Sequence, residues 1–223
     1  PNAVKPNNSA ACVTEAEVRA EYADLFEGVG LLEGKVHLEI DNSVPPVQMP
    51  LRRLPIGVRD KVAAELQRLE ANGIIAPVAE PTPWVSALLV VAKPDGRIRL
   101  VIDPKHLNVG LQRAKYCLPT ITDILPRLAG AKVFSSVDAR DGFFHLMLDE
   151  ESCRLTTFEI PFGRWRWVRM PNGVKPAPEI FQERMHAALS GLKGIECIAD
   201  DILIAGAGAT EEEATQDHNR NLC

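Results

Sequence analysis

At 223 residues, with 46% hydrophobic and 25% charged residues, the chain has a globular composition and can bury a substantial core as one domain or two subdomains. No apolar run approaches a transmembrane helix, and the opening Pro1-Asn2-Ala3-Val4-Lys5 lacks the charged-then-apolar order of a secretory signal. The net charge of −5 argues against a uniformly basic, nucleic-acid-binding surface.

The charge is unevenly spread. Acids cluster at Asp149-Glu150-Glu151 and Glu211-Glu212-Glu213, and bases at Arg52-Arg53, Arg97 with Arg99, Arg113 with Lys115, and Arg164 with Arg166 and Arg169. Each cluster reads as a solvated face, or, for the basic ones, as one wall of a basic groove in an acidic protein. The five cysteines are odd in number and include no C-x-x-C pair, which fits free thiols in a reducing compartment. The five histidines have no zinc spacing and read as core or surface residues. The chain lacks an initiator Met, so it is expected to be a segment of a longer polypeptide.

In chain order, residues 1–20 are polar and read as a linker, and 21–53 as an extended N-terminal segment. Within that segment Glu21–Phe26 suits a helical turn or two, and Val36-His37-Leu38-Glu39-Ile40 alternates as a strand. Pro45, Pro46 and Pro50 then break regular structure. After Pro55, Val58, Val62, Leu66 and Leu69 recur at helical spacing, and Asn72-Gly73 supplies the stop. Ser86–Lys93 and Arg97–Asp103 are apolar runs flanking Pro94-Asp95-Gly96, a strong hairpin signal. Lys93 and Arg99, one on each arm, read as surface charges or as a grip for a triphosphate, since Arg holds phosphate oxygens in pairs.

Residues 120–128 predict a short helix, and Val133–Asp138 a β-prone run ending in a carboxylate. Beyond it, the glycine and exposed amides of Ala139-Arg140-Asp141-Gly142 suit a phosphate cradle. There Phe143 is either a core aromatic or the flank of a sugar. Leu155–Phe158 and Trp165–Val168 read as strands joined by Pro161-Phe162-Gly163. A helix is expected from about Pro178 to Leu189, with Ile180, Phe181 and Met185 toward the core.

Ile195–Gly206 then reads as apolar run, two adjacent acids, apolar run, glycine: a hairpin with Asp200 and Asp201 at its turn. Asp is an ordinary turn residue, so a solvated turn explains the pair. A cation site explains it equally if the Asp138 run lies in the same sheet. Three converging carboxylates suit a pair of Mg²⁺ ions, which take oxygen ligands, share them with phosphates and can serve phosphoryl transfer. Thr210 with Glu213 makes a capping-box start for a last helix.

The order of motifs resembles the reverse transcriptases of gypsy-type (Metaviridae) LTR retrotransposons, themselves similar to retroviral ones. Phe134-Ser135-Ser136-Val137-Asp138 with Gly142-Phe143 matches the first catalytic motif. Met170-Pro171-Asn172-Gly173-Val174 with Ala177-Pro178 and Phe181-Gln182 matches the nucleotide- and template-facing motif. Ile198-Ala199-Asp200-Asp201 matches the Tyr-x-Asp-Asp box, and Lys93-Pro94-Asp95-Gly96 with Arg99 and Asp103 the fingers hairpin. The resemblance spans roughly residues 20 to 222. The sequence departs from the pattern at Ile198 (usually Tyr), Asn172 (usually Phe, or Gln in retroviruses), Lys105 (usually Arg) and Pro176 (usually Asn).

The resemblance implies an α+β fold of right-hand polymerase fingers and palm over 54–222, the palm mainly within 117–222 as an antiparallel sheet packed by helices, with no thumb. It implies an RNA-directed DNA polymerase that adds dNTPs to a primer on an RNA or DNA template. Asp138, Asp200 and Asp201 would be catalytic. With the Ala139 backbone they would hold two Mg²⁺ ions, Mn²⁺ being able to substitute. Lys93, Arg99, Asp141, Gly142, Phe143 and Asn172 would bind the dNTP, Phe143 blocking a ribose 2′-hydroxyl. Further implied partners are the thumb, connection, RNase H and integrase regions of a Pol polyprotein, in a cytoplasmic virus-like particle. The alternatives are a non-catalytic nucleic-acid-binding remnant of such an element, which would have no reason to keep all three acids, and an unrelated α+β domain.

Overall fold

A computed structural model describes residues 11–223. Its elements in chain order are α1 (Glu15–Glu21), β1 (Lys35–Val36), α2 (Arg59–Ala71), β2 (Ile75–Pro77), β3 (Ala87–Ala92), β4 (Ile98–Asp103), α3 (Leu107–Gly110), α4 (Ile121–Ile124), β5 (Ala131–Asp138), β6 (Met147–Leu148), α5 (Glu150–Leu155), β7 (Phe158–Ile160), β8 (Gly163–Trp167), α6 (Ala177–Ala188), β9 (Ile195–Ile198), β10 (Asp201–Ala207) and α7 (Glu211–Leu222). The chain forms two compact units, and each is built from separate stretches of sequence. Among the described residues no helix is long and apolar enough to cross a membrane.

The first unit takes in residues 117–140 and 185–223, together with the N-terminal stretch to Gly28. Its sheet has the order β5-β10-β9, antiparallel throughout. Helix α7 packs on β10 and β5. Its start is the expected capping box, with Glu213 N–H donating to Thr210 Oγ1 and Glu213 carboxylate accepting from the Thr210 N–H. The packing is close enough to exclude a side chain at Gly206, where a Cβ would run into the Ala214 carbonyl and His218. Fully buried His218 shares a hydrogen bond between its Nε2 and Ser135 Oγ at 2.9 Å. Asp217 accepts from the Ala207 N–H, where the β5–β10 register slips, and Asn221 donates to the Ala205 carbonyl.

The second unit takes in residues 29–116 and 141–184. It holds the β3–β4 hairpin, the sheet β2-β8-β7, and the parallel pair β1–β6. Its core gathers Leu69 from α2, Ile75, Leu100, Ile102, Phe158 and Trp167, all nearly or fully buried. Trp167 stacks on Phe144 at 5.5 Å and lies 5.8 Å from Phe158. Helix α2 covers β4 and β2 with Val62, Leu66 and Leu69, three of the four residues whose spacing predicts it.

Several local expectations change. The strand expected over residues 36–40 is regular only at Lys35–Val36. The alternation persists, with Val36 and Leu38 buried and His37 and Glu39 exposed. However, the Leu38 N–H donates to Ser152 Oγ rather than to a neighbouring strand. The strand expected from Leu155 begins only at Phe158, because Asp149 N-caps a helix over Glu150–Leu155 by accepting from the Ser152 N–H at 2.8 Å. The acidic cluster at 149–151 is therefore that cap and first turn, where the helix dipole favours negative charge. The helix expected over 120–128 splits at Pro126 into α4 and a 3₁₀ turn, since proline cannot donate to an α-helical ladder. Of the stretch read as a linker, 1–10 lie outside the described residues and Glu15–Glu21 is helical, capped by Thr14 and Glu17, with no buried side chain.

Candidate active site

The β9–β10 hairpin forms where two apolar runs flank Ala199-Asp200. Ala199 has φ 53°, at the turn position where glycine is usual. Among the described residues only Ala199 and Asp141 are non-glycine residues with positive φ. Each lies beside a residue singled out by the sequence, and such backbone strain concentrates at functional sites.

Strand β5 pairs along β10 so that Asp138 lies directly opposite Asp201. Directly opposed residues of antiparallel strands point to one face with Cβ atoms about 5 Å apart. Asp200 precedes Asp201, and its carbonyl accepts from the Ala139 N–H at 2.8 Å. Asp138, Ala139, Asp200 and Asp201 are thus brought to one end of one sheet. All three carboxylates are exposed, and among the described residues none has an ion pair or a side-chain hydrogen bond. Other acids of the chain are paired, Glu65 with Arg68 and Glu196 with Arg127 among them.

The donor set is oxygen only, and so suits a hard divalent cation rather than zinc. Among the described residues no three His, Cys, Asp or Glu side chains already converge into a metal cage. Like charges repel, so carboxylates gathered at one strand end are stabilised by a cation placed between them.

The remaining singled-out residues belong to the second unit. In β3–β4, Val91 pairs with Arg99, and Lys93 N–H donates to the Arg97 carbonyl just past the strand ends. Alternation puts Lys93, Arg97 and Arg99 on one face, opposite the face carrying buried Leu88, Leu100 and Ile102. Arg97 is held by Asp95, which also lies near the Lys93 charge, while Arg99 has no partner among the described residues. The hairpin tip is tied to α2 by Lys61, whose ammonium donates to the Gly96 carbonyl at 3.1 Å.

Asp141, at φ 55°, starts a 3₁₀ turn over Gly142–His145, with Gly142 buried. Phe143 is half-buried, edge-on to Phe181 of α6 with ring centres 5.5 Å apart, so it is neither a core residue nor a free surface ring. Asn172 lies on a turn after β8, half-buried, its amide without a hydrogen bond among the described residues. Two polar contacts had no sequence signal. Ser135 gave no hint of its buried partner His218, and His37, read as core or surface, proved to be paired with Asp149 at 2.6 Å.

The model of the family described as "Reverse transcriptase (RNA-dependent DNA polymerase)" matches residues 91–222, more than half of the chain. An uncharacterized protein of Caenorhabditis elegans, K02A2.6, is 33% identical over 217 residues, covering 95% of this chain and 17% of its own length. The retrovirus-related Pol polyprotein from transposon 412 of Drosophila melanogaster is 33% identical over 202 residues, covering 84% of this chain and 16% of its own length. The chain therefore spans about a sixth of these relatives. Among solved structures, prototype foamy virus protease–reverse transcriptase has the same fold, with a TM-score of 0.79 at 21% identity over 93% of this chain and 27% of that one. The foamy viral enzyme in complex with an RNA/DNA hybrid gives a TM-score of 0.74 at 21% identity, over 90% of this chain and 28% of that one. The fold is thus that of reverse transcriptase fingers and palm, and the match from the β3 strand through the last helix takes in both aspartate motifs. On that extent of agreement in sequence and fold, the chain belongs to the reverse transcriptase family.

Proposed function

We propose that the chain is the fingers-and-palm core of an RNA-directed DNA polymerase from a gypsy-type LTR retrotransposon, extending a primer 3′-hydroxyl with dNTPs. The observation that carries this reading is the β5–β10 register, which gathers three exposed, unpaired aspartates at one strand end. In this reading Asp138, Asp200, Asp201 and the Ala139 carbonyl hold two Mg²⁺ ions, with Mn²⁺ able to replace them. When bound, such a pair supplies charge stabilisation for the attacking 3′-oxygen and the leaving pyrophosphate.

Lys93 and Arg99 hold the triphosphate charge, Arg99 through its planar, forked donors. The backbone at Asp141 and Gly142 supports the phosphates. Phe143, braced against Phe181, fills the space a ribose 2′-hydroxyl would need and so selects dNTPs. Asn172 turns its free amide to the nucleotide. The template is RNA or DNA with a primer, as the foamy virus complexes with DNA and an RNA/DNA hybrid suggest by analogy. Thumb, connection, RNase H and integrase regions of the same polyprotein, in a cytoplasmic virus-like particle, complete the system.

Primer extension on an RNA template with Mg²⁺ or Mn²⁺ tests the reading, beside an Asp200→Asn control and Mn²⁺ binding to both proteins. The substitution removes one carboxylate charge without changing shape. Extension is expected to fall at least about a thousandfold, and Mn²⁺ affinity with it. Equal extension or equal Mn²⁺ affinity in the two proteins would remove Asp200 from the site. Template–primer binding without extension, even with the thumb restored, would mark a binding remnant.

A further inference from the structure

The turn that carries Asn172 is held from outside by the side chain of Asn108. Gly173 has φ 101°, and a Cβ there would lie 2.9 Å from the Ile102 carbonyl oxygen and 3.2 Å from Pro104 Cδ. The turn therefore rests directly on the backbone where β4 ends. From the same place rises α3, whose Asn108 N–H donates to the Pro104 carbonyl at 2.7 Å. The Asn108 side chain then reaches across to the turn. Its Nδ2 donates to the Gly173 carbonyl at 2.8 Å, and its Oδ1 accepts from the Lys175 N–H at 2.8 Å. Lys175 returns the contact, donating from Nζ to the carbonyls of Leu111 at 2.7 Å and Asn108 at 3.3 Å.

This geometry asks for a carboxamide. The turn presents an acceptor and, two residues on, a donor to the same side chain, and a carboxamide meets both from one short planar group. Asp lacks the donor, Ala lacks both groups, and Gln is a methylene longer. Within this clamp, the amide of Asn172 has no hydrogen bond among the described residues. A rigidly held turn with a free polar side chain is the arrangement expected of a preorganised contact, where small displacements are costly.

We propose that Asn108 is the positioning residue of the nucleotide-facing turn, fixing the Asn172 amide in the one orientation that meets the incoming dNTP. The inference rests on the polymerase reading given above. It adds to that reading a residue acting through Asn172 and not on the nucleotide.

The test uses the full chain with Asn108→Ala and the milder Asn108→Asp, each alone and with Asn172→Ala. Amide hydrogen exchange reads the clamp, and steady-state primer extension reads its consequence. In Asn108→Ala, exchange at the Lys175 amide is expected to rise at least tenfold, while Leu100 and Ile102 in β4 keep their protection. The dNTP KM rises several-fold with a smaller change in kcat. Asn108→Asp, which keeps the acceptor, falls between. In the Asn172→Ala background, Asn108→Ala adds little to KM, because both changes remove one contact.

Unchanged exchange at Lys175 would overturn the clamp. Exchange rising equally in β4 would assign Asn108 a merely structural role, as would KM effects that add in the double variant. If Asn172→Ala alone leaves the KM unchanged in an active enzyme, the nucleotide role of the turn fails and the proposal with it. A chain that extends no primer in any form overturns the nucleotide role together with the reading beneath it, and the exchange data then decide the clamp alone.

Discussion

Asp149 shows how much of this fold a single carboxylate can organise. It caps α5, its own N–H donates to the Val36 carbonyl, and its side chain meets His37 Nδ1 at 2.6 Å. Burial pushes the Asp149 carboxyl up, but hydrogen bonds from Ser152 and His37 outweigh it and hold the group below its ordinary value. The hydrogen bond to Asp149 raises His37 above its ordinary 6.5, against the opposing effect of burial, with nearby Glu39 and Glu151 adding to the rise. A raised histidine adds stability that is complete below its unfolded value and lost as pH climbs through its folded one. A depressed carboxylate adds stability that is lost as pH falls through its folded value. Stability is therefore expected to decline as pH rises from about 6.5 upward, and His37→Asn should flatten that slope. Denaturant midpoints across this range check it. A slope unchanged by His37→Asn would assign the decline to other groups. Because the pair is partly exposed to solvent, the effect is small.

Among the elements, α7 is the one whose placement the acidic hairpin depends on. Its polar residues Asp217, His218 and Asn221 each satisfy a group of β5 or β10, and Gly206 lets its backbone come close. Gly206→Ala is expected to cost about 1–3 kcal/mol or more, because the clash is with backbone that cannot rotate away. His218→Ala should cost about 2–4 kcal/mol, from the cavity and the orphaned Ser135 hydroxyl. Thermal or urea unfolding measures both, and a neutral Gly206→Ala would contradict the close packing described. Helices α2, α6 and α7 and the hairpins β3–β4 and β9–β10 were legible because each carries its own periodicity, cap or turn residues. Strand β1 and helix α5 were not, since Leu38 finds its partner in Ser152 and the Asp149 cap resembles any other acidic cluster.

Taken whole, the chain combines a net charge of −5 with a cationic hairpin face bearing Lys93, Arg97 and Arg99. Overall charge and local field are different quantities, and binding of a polyanion follows the local one. On the proposed function, template–primer binding should fall steeply with salt despite the negative net charge. Each neutralised phosphate contributes a slope of about −0.7 to −0.9 in log K against log salt. Arg99→Gln, which removes a charge assigned to the dNTP triphosphate, should leave that slope unchanged and raise the dNTP KM several-fold. Salt titration of a labelled template–primer measures the slope, and steady-state primer extension the KM. A shallower slope would place Arg99 on a template–primer phosphate, and an unchanged dNTP KM would remove it from the triphosphate.

The two aspartate motifs, the hairpins and most helices can be read from the residues alone, because strand alternation, helical spacing, Asp-Gly turns and capping boxes act over a few neighbouring residues. The sequence also separates Asp138 from Asp200 by a stretch that no local rule could close. That Asp138 pairs with Asp201, that Ser135 meets His218, and that Asn108 reaches the Asn172 turn emerges from the folded chain. Each of those contacts joins residues far apart in the chain. Their partners are chosen by sheet register and by which surfaces the packed core leaves facing each other, and neither is written in local spacing.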